Sequence, residues 1–154
     1  MAWILPKRTR RQVEWRLRNR WKMRDEAERL LLEAQSDAIS LAGTLGHEGG
    51  GRSNLPGDPT GRGADRIIRA RERVEAAEKW ERVFTLAEEQ FPPGSDHHKI
   101  ISLRYWSGLR IAEIAEQMHY DRQTIVRKRD EFLTVCCFIA AEEGLTRRAD
   151  DVSD

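Results

Sequence analysis

The chain has 154 residues, 39% of them hydrophobic and 34% charged, with a formal net charge of +1. That balance suits a surface-rich helical protein with a modest core, either one compact domain plus an extension or two small domains. It excludes a bilayer-spanning run and a disulfide-stapled scaffold, since the two cysteines, Cys136 and Cys137, are vicinal on an apolar stretch. Vicinal helical residues point about 100° apart, so these two read as small buried groups of a cytoplasmic protein, with no zinc-binding spacing. The opening Met-Ala-Trp-Ile-Leu-Pro is too short for the apolar core of a signal peptide.

In the first 24 residues, Lys7, Arg8, Arg10, Arg11, Arg16, Arg18, Arg20, Lys22 and Arg24 stand against the single acid Glu14. Val13, Leu17 and Trp21 step by four, which predicts a helix from about Arg10 through Leu30, Leu31, Ala34, Ala38 and Leu41, ended by Gly43. The interleaved Trp3, Trp15 and Trp21 are expected to serve packing rather than base stacking. The basic end reads first as a phosphate-binding arm, because counterion release rewards clustered cations. The competing reading is that it neutralises an acidic surface on a partner or neighbouring subunit.

Gly43 to Gly57 is a flexible connection by composition, with His47 as a solvated loop residue. Its triple glycine is not a phosphate loop, since no Gly-Lys-Ser/Thr follows and no strand leads in. Asp58-Pro59-Thr60 then starts a helix, Asp as cap and Pro in the first turn. Ile67, Val74, Ala77, Trp80, Phe84 and Ala87 give it an apolar stripe; Arg66, Arg69, Arg71 and Arg73 come early, and Glu78, Glu81, Glu88 and Glu89 late. Two long helices so joined are expected to lie antiparallel, the basic start of one against the acidic end of the other. Pro92-Pro93-Gly94 breaks the second helix.

Residues 100–133 follow the grammar of a helix-turn-helix: an apolar scaffold helix, a Gly break, a short amphipathic helix, a tight turn and a helix opening on polar and basic groups. Leu109, Ala112, Ile114, Ala115 and Met118 share the inner face of the short helix, while Glu113 and Glu116 face water. Small Ala115 lets the two helices cross closely. The turn needs a positive φ at His119, which reads as a plain turn residue in preference to a phosphate contact or pH switch. Asp121 stands at the N-cap of the next helix, with Ile125 and Phe132 as its core anchors.

Arg122, Gln123, Thr124, Val126 and Arg127 are the candidates for reading base edges in double-stranded DNA, with Arg suited to guanine, Gln to adenine, and Thr or Val to a thymine methyl. Lys99, Arg104, Arg110, Lys128 and Arg129, with Arg8, Arg10 and Arg11 of the basic arm, are the candidate phosphate contacts. The stem of Lys128 is expected to lie along Leu103 with its ammonium in solvent. From His97 to Arg129 seven cations face three carboxylates, a local excess of four. Phe132–Ala141 is apolar nearly all round, which predicts burial on every side, against the hairpin, another subunit, or both. Gly144 then ends the helix in the left-handed region, and the polar tail after Leu145 is expected to be disordered.

Leu-Arg-Tyr-Trp-Ser-Gly-Leu at 103–109 and Ala-Glu-Ile-Ala-Glu-Gln-Met at 112–118 resemble the promoter-reading C-terminal region of sigma factors. The whole layout, with Asp58-Pro59-Thr60 as a helix start, resembles phage late-gene transcriptional activators of the ArpU and RinA type. The resemblance is specific over about 98–133 and looser over 8–90. It implies sequence-specific DNA binding and activation of late phage operons; related sequences usually carry Gly where His119 stands.

The expected fold is all-α, an N-terminal long-helix hairpin plus a C-terminal sigma-region-4-like helix-turn-helix module. Residues 1–91 would form the basic arm and oligomerising hairpin, 94–145 the DNA-binding module and 146–154 the tail. The expected function is a non-enzymatic regulator acting as a homodimer or higher homo-oligomer, without cofactor, metal or membrane. Nothing pairs a nucleophile with a base or spaces ligands for a metal. The alternatives are a terminase-like DNA-recognition subunit for phage packaging, or a helical protein that binds RNA polymerase or a sigma factor.

Overall fold

The computed structural model describes residues 6–45 and 59–146, all of it helices, turns and short connections. In order these are α1 (Lys7–Arg18), α2 (Arg20–Leu45), α3 (Pro59–Glu89), α4 (Asp96–Ile101), a π-helical turn (Ser102–Trp106), α5 (Ile111–Met118) and α6 (Arg122–Glu142). The expected all-α architecture holds among the described residues. Trp3, His47, the Asp58 cap and the tail from residue 147 lie outside them.

The first helix differs from the continuous one that periodicity predicts. It begins at Lys7 and stops at Arg18, and Asn19 departs from helical geometry at φ −101°, ψ 17°. Two side chains claim α1 carbonyls at this break: Asn19 Nδ2 donates to the Trp15 carbonyl at 2.8 Å, and Trp106 Nε1 donates to that of Leu17 at 3.1 Å. Val13 and Leu17 are fully buried as the four-residue step requires, but Trp21 is 56% exposed and Arg20 is buried instead. Gly43 does not end α2, which runs two residues further.

The chain divides into two compact units, one holding the residues up to Arg20 and those from Lys79 onward, the other Trp21–Glu78. Pro92-Pro93-Gly94, where composition suggests a boundary, therefore falls inside the first unit. The cause is packing. Val13 and Leu17 of α1, Trp80, Val83, Phe84 and Ala87 of α3, and Phe132, Leu133, Cys136, Cys137 and Ala140 of α6 share one core. A short break between helices cannot separate elements that bury their apolar faces together.

A second cluster joins Ile100, Ile114, Ala115 and Ile125, flanked by Leu103, Leu109, Ile111 and Met118. It sets α5 across α4 and the start of α6, with Ala115 at the expected inner position. Within one chain α6 is not buried on every side: Phe138 is 55% exposed, while Cys136 and Cys137 are buried. Both thiols are free, and burial pushes that of Cys137 up to about 12.

In the unit Trp21–Glu78, the buried residues among those described are Ala27 and Ala34 on α2 and Ala70 and Ala77 on α3, seven apart on each helix. Arg66 lies 3.4 Å from Asp37, while Leu30 and Ala34 line a groove with Ala70 and Arg73, so the two helices run antiparallel. Leu32 and Ile39 remain exposed.

Candidate functional site

The site is built from the connection between α5 and α6. His119 ends α5 at φ 60°, ψ 38°, the left-handed conformation expected of this turn. A β-carbon is strained there by about 1 kcal/mol or more, and glycine is not. His119→Gly is therefore expected to stabilise the protein by about 0.5–1 kcal/mol, net of glycine's added freedom in the unfolded chain. Urea denaturation checks this, and an unchanged or lower midpoint would contradict it.

Asp121 caps α6 as expected, its Oδ1 accepting from the Thr124 N–H at 2.8 Å. Hydrogen bonds from Thr124 hold the Asp121 carboxyl below its ordinary range. Thr124 is half-buried, and its backbone N–H is the donor to the cap. Ile125, fully buried, turns the opposite side of the first turn into the small core. That leaves Arg122, Gln123 and Arg127 exposed and Val126 half-buried. Arg122, Gln123, Val126 and Arg127 line one open groove that continues along α6 past Asp130, Glu131, Thr134 and Val135, with Phe91 at its side. Arg122 and Gln123 carry no side-chain hydrogen bond or ion pair among the described residues. Arg127 is 3.9 Å from Glu131, which His97 also approaches at 2.7 Å.

The candidate phosphate contacts separate into two groups. Lys99, Arg8 and Arg11 are exposed, and Arg110 is 82% exposed while bonded to Glu113 at 2.6 Å. The other four are committed inside the fold. Arg10 bonds Glu14 at 2.8 Å and Asp130 at 2.9 Å, tying α1 to α6. Arg104 donates to the Leu109 carbonyl at 3.0 Å, holding the loop before α5. Arg129 is largely covered and bonds Asp130 at 3.1 Å.

Lys128 departs from expectation most clearly. Its ammonium does not run to solvent but lies 3.4 Å from Asp96 Oδ2 and 5.5 Å from the Tyr120 ring centre. The opposite charge at the start of α4 and the ring face outcompete hydration of the ammonium. Tyr120 completes this cluster by donating its hydroxyl to Asp96 at 2.6 Å. The Asp96 carboxyl is held below its usual range, first by that Tyr120 bond and then by Lys128 and Lys99. A depressed carboxyl contributes stability above its unfolded pKa, and the contribution is lost as pH falls through the folded one. In a carboxyl-carbon NMR titration Asp96 is expected to titrate below an ordinary aspartate, and Tyr120→Phe to move it back up. An unmoved Asp96 in that variant would contradict the arrangement.

Sequence reasoning missed Tyr120 and Arg20. Tyr120 meets an acid 24 positions away, which no local pattern signals. Arg20 is only 6% exposed, its Nε and Nη2 each 3.0 Å from a Glu81 oxygen and its Nη1 on Glu88. Its guanidinium also lies 5.7 Å from the ring centres of Phe84 and Trp106. The meeting of a basic helix start with an acidic helix end was legible in the sequence; that a single arginine would be buried to make it was not.

Among the described residues no cluster of His, Cys, Asp or Glu could hold a metal ion, and no helix is long and apolar enough to cross a membrane. No protein family, curated protein or solved structure matches the chain.

Proposed function

We propose that the protein is a sequence-specific double-stranded DNA-binding regulator, non-enzymatic, of the kind that activates late phage operons. In this reading α5, the His119 turn and α6 act as a helix-turn-helix, and α2 and α3 form the oligomerising hairpin of a homodimer on spaced half-sites. The observation that carries it is the exposed first turn of α6. Arg122 and Gln123 project from a helix whose start is held by the Asp121 cap and by buried Ile125, so their positions are set before DNA arrives.

Electrostatics narrow the reading. Over residues 94–133 seven cations face six carboxylates once Asp96, Asp130 and Glu131 are included, so the module lacks a broad cationic surface. Phosphate contact falls instead to Arg8, Arg11, Lys99 and Arg110. If all four engage, the slope of log affinity against log salt is about −4.

Selection of bound sequences from a random duplex pool, repeated at two salt concentrations, tests the reading. A shared motif is expected at both. Enrichment that vanishes at the higher salt with no motif at the lower would leave only unspecific phosphate binding and defeat the proposal.

A further inference from the structure

α1 keeps an outer face of which the duplex reading uses only Arg8 and Arg11. Val13 and Leu17 point into the core with no exposure at all. Lys7, Arg8, Arg11 and Arg18 are exposed on the helix, and among the described residues none of them has an ion pair. Helical spacing puts these four on the side away from Val13 and Leu17, together with Trp15. Glu14, the one carboxylate of α1, is taken by Arg10 at 2.8 Å. The cations extend over about 16 Å of helix.

Trp15 is the unusual member. Its indole is 54% exposed, contrary to the packing role its sequence context suggests, and the Arg16 guanidinium lies 5.3 Å from its ring centre. An exposed ring on one face with four cations that have no ion pair among the described residues, of which Arg18 lies 5.8 Å from the Tyr105 ring centre, fits a ligand that has both negative charge and flat apolar faces. Duplex DNA offers the charge, but its base faces are occupied by stacking. A single strand offers both. An anionic membrane fits less well, because an interfacial helix inserts an apolar face, and that of α1 is already spent in the core.

We infer that the outer face of α1 binds single-stranded nucleic acid, with Trp15 as the platform for one base and Lys7, Arg8, Arg11 and Arg18 on its phosphates. This shares Arg8 and Arg11 with the duplex reading but rests on a different surface from the first turn of α6.

The test is fluorescence anisotropy of the full chain with labelled oligo-dT of about ten nucleotides. Wild type is expected to bind, Trp15→Ala to lose about tenfold in affinity, and Trp15→Phe, which keeps a stacking face, to lose much less. Arg11→Ala is expected to lessen the log–log salt slope by about 0.7. Gln123→Ala should leave oligo-dT affinity unchanged, so failure of the α6 reading and failure of this one are distinguishable. Were Trp15→Ala to unfold, Trp15→Phe beside the Arg8→Ala/Arg11→Ala pair would carry the comparison, with a large loss only in the pair. Absence of oligo-dT binding, equal affinity in Trp15→Ala, or binding of phosphatidylserine vesicles in place of oligo-dT would overturn the inference.

Discussion

Arg20→Ala is expected to destabilise the protein by about 3 kcal/mol, the largest loss from any single charge among the described residues. The reason is what the substitution leaves behind. Glu81 holds two of the guanidinium nitrogens and Glu88 a third, and the two carboxylate side chains are only 23% and 34% exposed. Without Arg20, two negative charges remain close together and only partly hydrated. Their residual access to water keeps the loss at the lower end of the range for breaking a buried pair.

Urea denaturation measures it, as a lower midpoint with an unchanged slope. Arg20→Lys should recover only part of the loss, because an ammonium cannot reproduce the two parallel bonds to Glu81. Adding Glu81→Gln and Glu88→Gln to Arg20→Met should restore more than Arg20→Lys does, since no unpaired charge then remains. A change below about 0.5 kcal/mol in Arg20→Ala would put the residue among ordinary surface cations.

Gln123→Ala is expected to weaken binding to the selected duplex by about 1–3 kcal/mol, roughly five- to 150-fold, and to relax selection at a single base pair. Arg122→Ala should do the same at a neighbouring position. Neither side chain has a role in the fold that would confuse the result, as both are exposed. Lys99→Ala offers the contrast: a uniform loss across sequences and a salt slope shallower by about one. Thr124→Ala differs from both: the backbone N–H that bonds the Asp121 cap survives in alanine, but a half-buried side chain is lost, and that mixes folding with binding. Anisotropy against the selected duplex and a scrambled one separates these outcomes. Equal weakening on both duplexes in Gln123→Ala would remove it from base readout.

How much of this was legible beforehand depended on the range of the interaction. The 3.6-residue period located the helices, Pro92-Pro93-Gly94 broke α3, and Gly144 closed α6 at φ 73°. The left-handed turn at His119 and the cap at Asp121 were equally local, each set within four residues. The break at Asn19 was not, because one of its stabilising bonds comes from Trp106, 89 positions from its acceptor Leu17. Nor was the division of the cations. Arg10, Arg104, Lys128 and Arg129 look the same in sequence as Arg8, Arg11, Lys99 and Arg110.

The order of residue types was therefore enough for helix content, the ends of α3, α5 and α6 next to the site, the small core beneath the α5–α6 turn and the exposure of Arg122 and Gln123. Those features follow from periodicity and from hydrogen bonds between near neighbours. Burial of Arg20, capture of Lys128 by Asp96 and Tyr120, and exposure of Trp15 and Phe138 followed from packing. Each depends on which distant side chain arrives beside it, and an ion pair or a covered ring gains its energy only once both partners are in place.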